Sequence, residues 1–216
     1  MTIRMILADD HAVLRHGLSR SFEGEDDFEV VGLARDGLST IDMIRELVPD
    51  VVVMDIGMPD LNGIEATRRI TKDFPDVKIV GLSMHSSDKY VREMFRAGAS
   101  GYLLKNCSFE ELKEAIKTVA GGKTYISSSI GDMIIKEYVN KPEEEKTAFS
   151  VLSQREREVL QLLAEGKTTK QVGRLLNISP KTVEVHRLRI MEKLELDNIA
   201  HLTKYAIQEG LTEAEL

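Results

Sequence analysis

The sequence predicts an α/β domain followed by a separate all-α domain. Three observations carry this. Up to about residue 121, five apolar runs alternate with five amphipathic segments, the signature of a parallel sheet with helices on both faces. Gly121-Gly122 then ends that pattern, and a polar stretch containing KPEEEK follows. From Leu152 onward only helical patterns remain.

Each element has its own justification. The apolar runs are Ile3–Ala8, Phe28–Ala34, Val51–Met54, Val77–Leu82 and Gly101–Leu104. The amphipathic segments between and after them span 12–22, 37–47, 63–73, 88–97 and 109–120. Ser108-Phe-Glu-Glu111 has the spacing of a capping box and starts the last of these. The boundaries read as 1–121 for the α/β domain, 122–149 for a linker and 150–213 for the helical domain. One short helix, Ile130–Val139, is expected in the linker. In the helical domain, Ser153-Gln-Arg-Glu156 is a second capping box and Gly166 closes the helix it starts. Thr168–Leu176 reads as a short helix with Asn177 as a left-handed stop. Ser179-Pro180 supplies an N-cap and an N1 proline for a helix to Leu194. Asp197 is expected to cap the last helix, which stops at Gly210. Two short helices around Asn177-Ile178-Ser179 match a helix-turn-helix unit.

Composition narrows the classes. The chain has 216 residues, 42% hydrophobic and 30% charged, which is ordinary for a soluble protein. No apolar run approaches the ~20 residues that span a bilayer, so no membrane association is expected. The start MTIRMILADD lacks a signal-peptide pattern, and the single cysteine, Cys107, excludes an internal disulfide. Both point to the cytoplasm. Charge is uneven: residues 1–149 hold 19 Lys and Arg against 26 Asp and Glu, 19 − 26 = −7, whereas residues 150–216 balance at 10 and 10. No strongly basic footprint marks a nucleic-acid binder.

The polar residues at the strand ends are unusual. Asp9 and Asp10 follow the first strand, Asp55 the third, Ser83 the fourth and Lys105 the fifth. Open α/β sheets bind ligands at these carboxyl ends, near the point where strand order reverses. With strand order 2-1-3-4-5, the first and third strands are neighbours, so the three acids converge with Ser83 and Lys105 opposite. Three carboxylates together call for a divalent cation, and an oxygen-only set favours Mg²⁺. Asp55, between the metal side and the Lys and Ser side, is placed to take a phosphoryl group. The Lys105 ammonium would neutralise phosphoryl charge. The backbone carbonyl of Gly57 is open to help hold the metal. Any one strand-end Asp alone is more often a helix cap, but five matching positions on four strands are hard to reach by chance.

LADD, VVVMDIGMPDLNG, GLSMHS and GASGYLLK make the first 120 residues similar to the receiver domain of two-component response regulators, a flavodoxin-like (βα)5 fold. LSQREREVLQLLAEGKTTKQV and ISPKTVEVHRLRIMEKL make residues 150–212 resemble the LuxR-type helix-turn-helix of the NarL/FixJ class. The resemblance implies that a sensor histidine kinase phosphorylates Asp55, and that Asp9 and Asp10 support Mg²⁺, Asp10 directly. It gives Ser83 and Tyr102 switch roles and Lys105 the phosphate contact. It also implies an active homodimer on double-stranded DNA. On activation, the Ser83 hydroxyl is expected to move toward the phosphate and Tyr102 to turn inward. One departure is that Asn106, not proline, follows Lys105, so a cis bond there is not assumed.

Other residues carry weaker expectations. His11 and His16 read as solvent-facing helix residues rather than phosphate relays. His85 is a candidate for tuning water access to the acyl phosphate, and Cys107 is read as inert.

With Val183 centred on the inward face of helix 179–194, Ile190 and Leu194 return to that face. Lys181, Glu184, Val185 and Leu188 then become base-reading candidates in the major groove. Thr182, Arg187 and Arg189 are better placed for phosphates. The less favoured reading of Val185 and Leu188 is burial against another helix or a receiver face; both readings hold in turn if a resting receiver covers this helix and frees it on activation. Because the segment is neutral, one domain alone should bind modestly and dimerisation should be needed. Ile199, Leu202, Tyr205 and Ala206 form an apolar stripe on the last helix. It either covers its own domain or forms a dimer contact.

The reading is thus a phosphorylation-switched transcription regulator, not an enzyme beyond its own phosphorylation and slow dephosphorylation. One alternative is a Mg²⁺-dependent phosphatase with an aspartate nucleophile. Such enzymes place a second acid two residues after the nucleophile, where this chain has Gly57, and put the nucleophile after the first strand. The other alternative is a protein-binding adaptor.

Overall fold

The computed structural model describes residues 2–84, 87–131 and 148–212. The chain divides into two compact units, one built on the sheet and one on the C-terminal helices.

The strands of the first unit are β1 (Ile3–Ala8), β2 (Phe28–Ala34), β3 (Val51–Met54), β4 (Lys78–Ser83), β5 (Gly101–Leu104) and β6 (Tyr125–Ile126). Its helices are α1 (Ala12–Phe22), α2 (Gly37–Leu47), α3 (Gly63–Asp73), α4 (Asp88–Arg96) and α5 (Phe109–Ala120). The sheet order is β2-β1-β3-β4-β5-β6, with every pairing parallel. The first five strands have the expected order. β4 is shifted by one residue from expectation, which makes Ser83 its last residue.

β6 is a correction. It lies in the stretch read as linker, yet Tyr125 and Ile126 pair with Gly101 and Tyr102 of β5. A two-residue strand is too short to leave a periodic pattern. Residues 128–131 begin a helix with Ile130 buried, and the rest of the expected Ile130–Val139 helix lies outside the described residues.

β3 is buried at all four positions, as its continuous Val-Val-Val-Met run requires in a sheet covered on both faces. One core cluster joins Met5, Leu7, Val51, Val53, Val80, Leu82 and Leu103 with Leu112, Ile116 and Val119 of α5. The sheet ladder continues past the strand ends: Asp9 N donates to Ala34 O, Asp55 N to Ala8 O and Lys105 N to Ser83 O. Those bonds hold the polar tips in register. Among the described residues every peptide bond is trans, that between Lys105 and Asn106 included.

The second unit holds α6 (Ala148–Val151), α7 (Gln154–Ala164), α8 (Thr169–Leu175), α9 (Pro180–Leu194) and α10 (Ile199–Gln208). The Ser153–Glu156 capping box is present on both sides, and Thr168–Gln171 forms another. Asn177 takes the left-handed conformation at φ 54, and Ser179 caps α9 with Pro180 in its first turn. The cap of α10 is Asn198, whose Oδ1 accepts from His201 N, rather than Asp197. Either residue offers the required side-chain oxygen, and the register of the first turn decides between them. Val159, Leu160, Leu162, Val172, Val183, Ile190, Leu202 and Ala206 are among the residues forming one buried cluster. Glu156 also reaches Lys193 at 2.7 Å, tying the start of α7 to the end of α9.

Candidate functional site

The loop after β3 sets the geometry of the acidic site. Asp55 N bonds to Ala8 O at 2.8 Å, which places its side chain beside the end of β1. Gly63 N then donates to Ile56 O at 2.9 Å, folding the loop back on itself before α3 starts behind the Asn62 cap. A Cβ on residue 63 would lie 1.9 Å from the Asp55 carbonyl oxygen, so only glycine allows this return. Gly57 sits within the loop, partly exposed.

Asp9 and Asp55 are buried, whereas Asp10 is exposed. Lys105 Nζ approaches Asp55 Oδ2 at 2.8 Å and Asp9 Oδ2 at 2.9 Å. Only the Asp55 contact is directed as a hydrogen bond, which leaves Asp9 Oδ2 buried without one. Burial pushes the Asp55 carboxyl up to about 6 against the opposing pull of Lys105, and the Asp9 and Asp10 charges add to the rise. Burial would lower the Lys105 ammonium, but the Asp55 and Asp9 carboxylates outweigh it and hold it above its ordinary value.

Asp9, Asp10, His11 and Asp55 each bring a ligand atom within 4.8 Å of the others. The carboxylates supply oxygen donors, with Asp9 Oδ2 also paired to Lys105 at 2.9 Å. This donor set fits a hard divalent cation. His11 is exposed as expected, but its position was not foreseen: Nδ1 lies 2.8 Å from Asp10 Oδ1 and 3.3 Å from Asp9 Oδ1. It precedes α1 as the cap residue, which carries its ring back over the acids. The residue directly after an Asp-Asp pair was the available signal. His85 lies outside the described residues.

Ser83 and Tyr102 lie on neighbouring strands, both buried and hydrogen-bonded to each other. Burial drives the Tyr102 hydroxyl well above its ordinary pKa, opposed by the Ser83 bond. The Tyr102 ring is fully buried, so it occupies the inward position expected of it on activation. Gly81 makes the room: a Cβ there would meet Met94 Cγ at 3.2 Å and Tyr102 Cδ2 at 3.3 Å.

In the second unit, α9 presents Lys181, Val185, Leu188 and Arg189 to solvent and buries Val183 and Ile190. Leu188 is 64% exposed, a large apolar side chain left uncovered on a polar helix face. Thr182, Glu184 and Arg187 are half-buried, and Thr182 Oγ1 lies 2.8 Å from Ser179 Oγ. Glu184, a base-reading candidate, has its carboxylate engaged within the protein: Thr169 Oγ1 of α8 donates to its Oε1 at 2.8 Å and Arg187 lies 3.4 Å from its Oε2. The α10 stripe also separates. Leu202 and Ala206 are fully buried in their own unit, Tyr205 packs against that core, and Ile199 stays exposed.

Residues 5–117 match the family model for the response regulator receiver domain. Residues 150–206 match the model for bacterial regulatory proteins of the luxR family. The chain is a LuxR-family response regulator. It is therefore a two-component transcriptional regulator. Oxygen regulatory protein NreC of Staphylococcus carnosus is 38% identical over 216 residues, 98% of this chain and 100% of that protein. Transcriptional regulatory protein DegU of Brevibacillus brevis is 37% identical over 222 residues, 96% of this chain and 94% of that one. A LuxR-family response regulator from Aurantimonas sp. SI85-9A1 has a similar structure, with TM-score 0.62 and 37% identity, over 64% of this chain and 99% of its own. RcsB from Salmonella enterica serovar Typhimurium, solved bound to promoter rprA with phosphomimetic BeF3⁻, covers 95% of this chain and 98% of its own at TM-score 0.63 and 25% identity. No described helix of this response regulator is long and apolar enough to cross a membrane.

Proposed function

We propose that Asp55 accepts a phosphoryl group from a phosphohistidine of a sensor kinase, and that the modified protein binds double-stranded DNA as a homodimer. The observation that carries this is the Lys105 ammonium between two buried carboxylates, 2.8 Å from Asp55 and 2.9 Å from Asp9. A carboxylate oxygen of Asp55 attacks phosphorus. The phosphorus–nitrogen bond to the donor histidine breaks, and its electron pair stays on that nitrogen. Lys105 remains beside the acceptor and offsets charge on the transferred oxygens. Mg²⁺, held by Asp9, Asp10, Asp55 and the Gly57 carbonyl, supplies further charge neutralisation when bound. Ser83, one strand away, offers its hydroxyl to a phosphoryl oxygen and thereby exchanges its bond to Tyr102.

The N-terminal half of α9 enters the major groove, with Lys181, Val185 and Leu188 toward base edges and Thr182, Arg187 and Arg189 toward phosphates. Support comes from the outward pose of Lys181, Val185, Leu188 and Arg189 and from the DNA-bound relative. Turnover of external phosphate esters is not part of this reading, since Gly57 supplies no general acid. The expected site of action is the cytoplasm.

The test is selection of bound genomic fragments by the full chain, with and without acetyl phosphate and Mg²⁺. Wild type should gain affinity for a defined set of fragments, and Asp55→Asn should not. An equal gain in Asp55→Asn would refute the phosphoacceptor assignment.

A further inference from the structure

We propose that Glu184 is a positioning residue rather than a base reader. Its carboxylate, anchored on α8, holds the Arg187 guanidinium ready for a DNA phosphate. This rests on the DNA-binding reading of α9. A carboxylate facing a polyanion is repelled unless it accepts from a base or organises a cation. The first option needs the Glu184 carboxylate to reach out along the helix. Instead Thr169 Oγ1, on the preceding helix, donates to Oε1 at 2.8 Å and draws it back toward α8. The other oxygen faces Arg187 Nη1 at 3.4 Å, one turn along the same helix.

Arg187 itself is 40% exposed, so part of its fork is free to face a ligand. Its Nε is buried with no hydrogen-bond partner among the described residues, leaving Glu184 as the group that orients the head. An arginine already directed by a neighbouring carboxylate loses less rotamer freedom on reaching a phosphate. The three residues thus form a relay from α8, through Glu184, to a cation on the DNA-facing helix.

Two effects of Glu184→Gln have opposite signs, which makes the test sharp. Removing a negative charge near DNA raises affinity through the field alone. Releasing Arg187 lowers it. The full-length protein, treated with acetyl phosphate, is titrated against a genomic fragment that wild type selects and against single-base variants of it. Glu184→Gln keeps an oxygen for Thr169 and should weaken binding about three- to fivefold, equally on every variant. The loss should vanish in an Arg187→Ala background, where the salt slope is already lower by about one. Thr169→Val should shift affinity in the same direction by a smaller factor. Tighter binding by Glu184→Gln, a changed preference at one base pair, or an undiminished loss in Arg187→Ala would each overturn the inference while leaving DNA binding intact. A wild-type chain that retains no fragment would overturn both together.

Discussion

Lys105 Nζ lies 2.8 Å from Asp55 Oδ2, and the two groups meet where burial opposes the charge on each. Asp55 therefore has a raised pKa of about 6 against an ordinary 3.8. The folded chain binds this proton more tightly than the unfolded chain does. The group's stability contribution is then full below the unfolded value and is lost as pH rises through about 6. Asp55→Asn removes the buried charge. It should raise the melting temperature by several degrees at pH 8, for a gain on the order of 2 kcal/mol, and by much less at pH 4.5. Thermal denaturation followed by circular dichroism at both pH values checks the sign.

The return of the loop onto Asp55 depends on residue 63 lacking a side chain. Gly63→Ala forces a methyl onto the Asp55 carbonyl, 1.9 Å from its undisturbed position. Backbone must move, so the cost should reach about 3 kcal/mol or more. Urea unfolding measures it. Because Asp55 shifts with the loop, acetyl phosphate labelling at neutral pH should fall at least tenfold even at temperatures where the variant is folded.

Gly81 has a narrower role. Alanine there brings a methyl within 3.2 Å of Met94 and 3.3 Å of the Tyr102 ring, contacts that small shifts can relieve. Gly81→Ala should cost about 1–2 kcal/mol and bias Tyr102 away from its buried site. Fluorotyrosine NMR reads this directly. Wild type should show a protected Tyr102 resonance before phosphorylation, and the variant a solvent-accessible one.

On α9 the two faces should respond oppositely to truncation. Ile190 is fully buried, so Ile190→Ala should destabilise the helical unit by about 2–4 kcal/mol. Leu188 is exposed, so Leu188→Ala should leave unfolding within about 0.5 kcal/mol of wild type while weakening operator binding several-fold. Denaturation and fluorescence anisotropy on the same preparations separate the two.

Sequence and structure agree where polarity conflicts with position. Asp9, Asp10, Asp55, Ser83 and Lys105 end strands that are otherwise apolar, and β-strand order alone brings such tips to one rim. Helix starts were legible for a related reason, since Ser153, Ser179 and Ser108 satisfy backbone donors at fixed spacing. The misses are of another kind. β6 has two residues, below any period. Asn198 and Asp197 present equivalent oxygens, so composition does not choose the cap. The space that Gly81 leaves beside Met94 and Tyr102 is a three-body fit that no single strand pattern encodes. Glu184 falls on the expected side of α9, but its bond to Thr169 joins residues on different helices, 15 apart in sequence, and periodicity sees one helix at a time.

Tyr125 and Ile126 run alongside Gly101 and Tyr102, and Ser127 N donates to the Tyr102 carbonyl at 3.3 Å. The chain thus leaves the sheet next to β5, which carries the buried Tyr102 and is followed directly by Lys105 of the acidic pocket. The link between β5 and β6 is made by main-chain pairing, with Ser127 N extending it beyond the strand. Residues 125–127 are therefore fixed by backbone bonds to the strand that ends beside Lys105 and the acidic pocket.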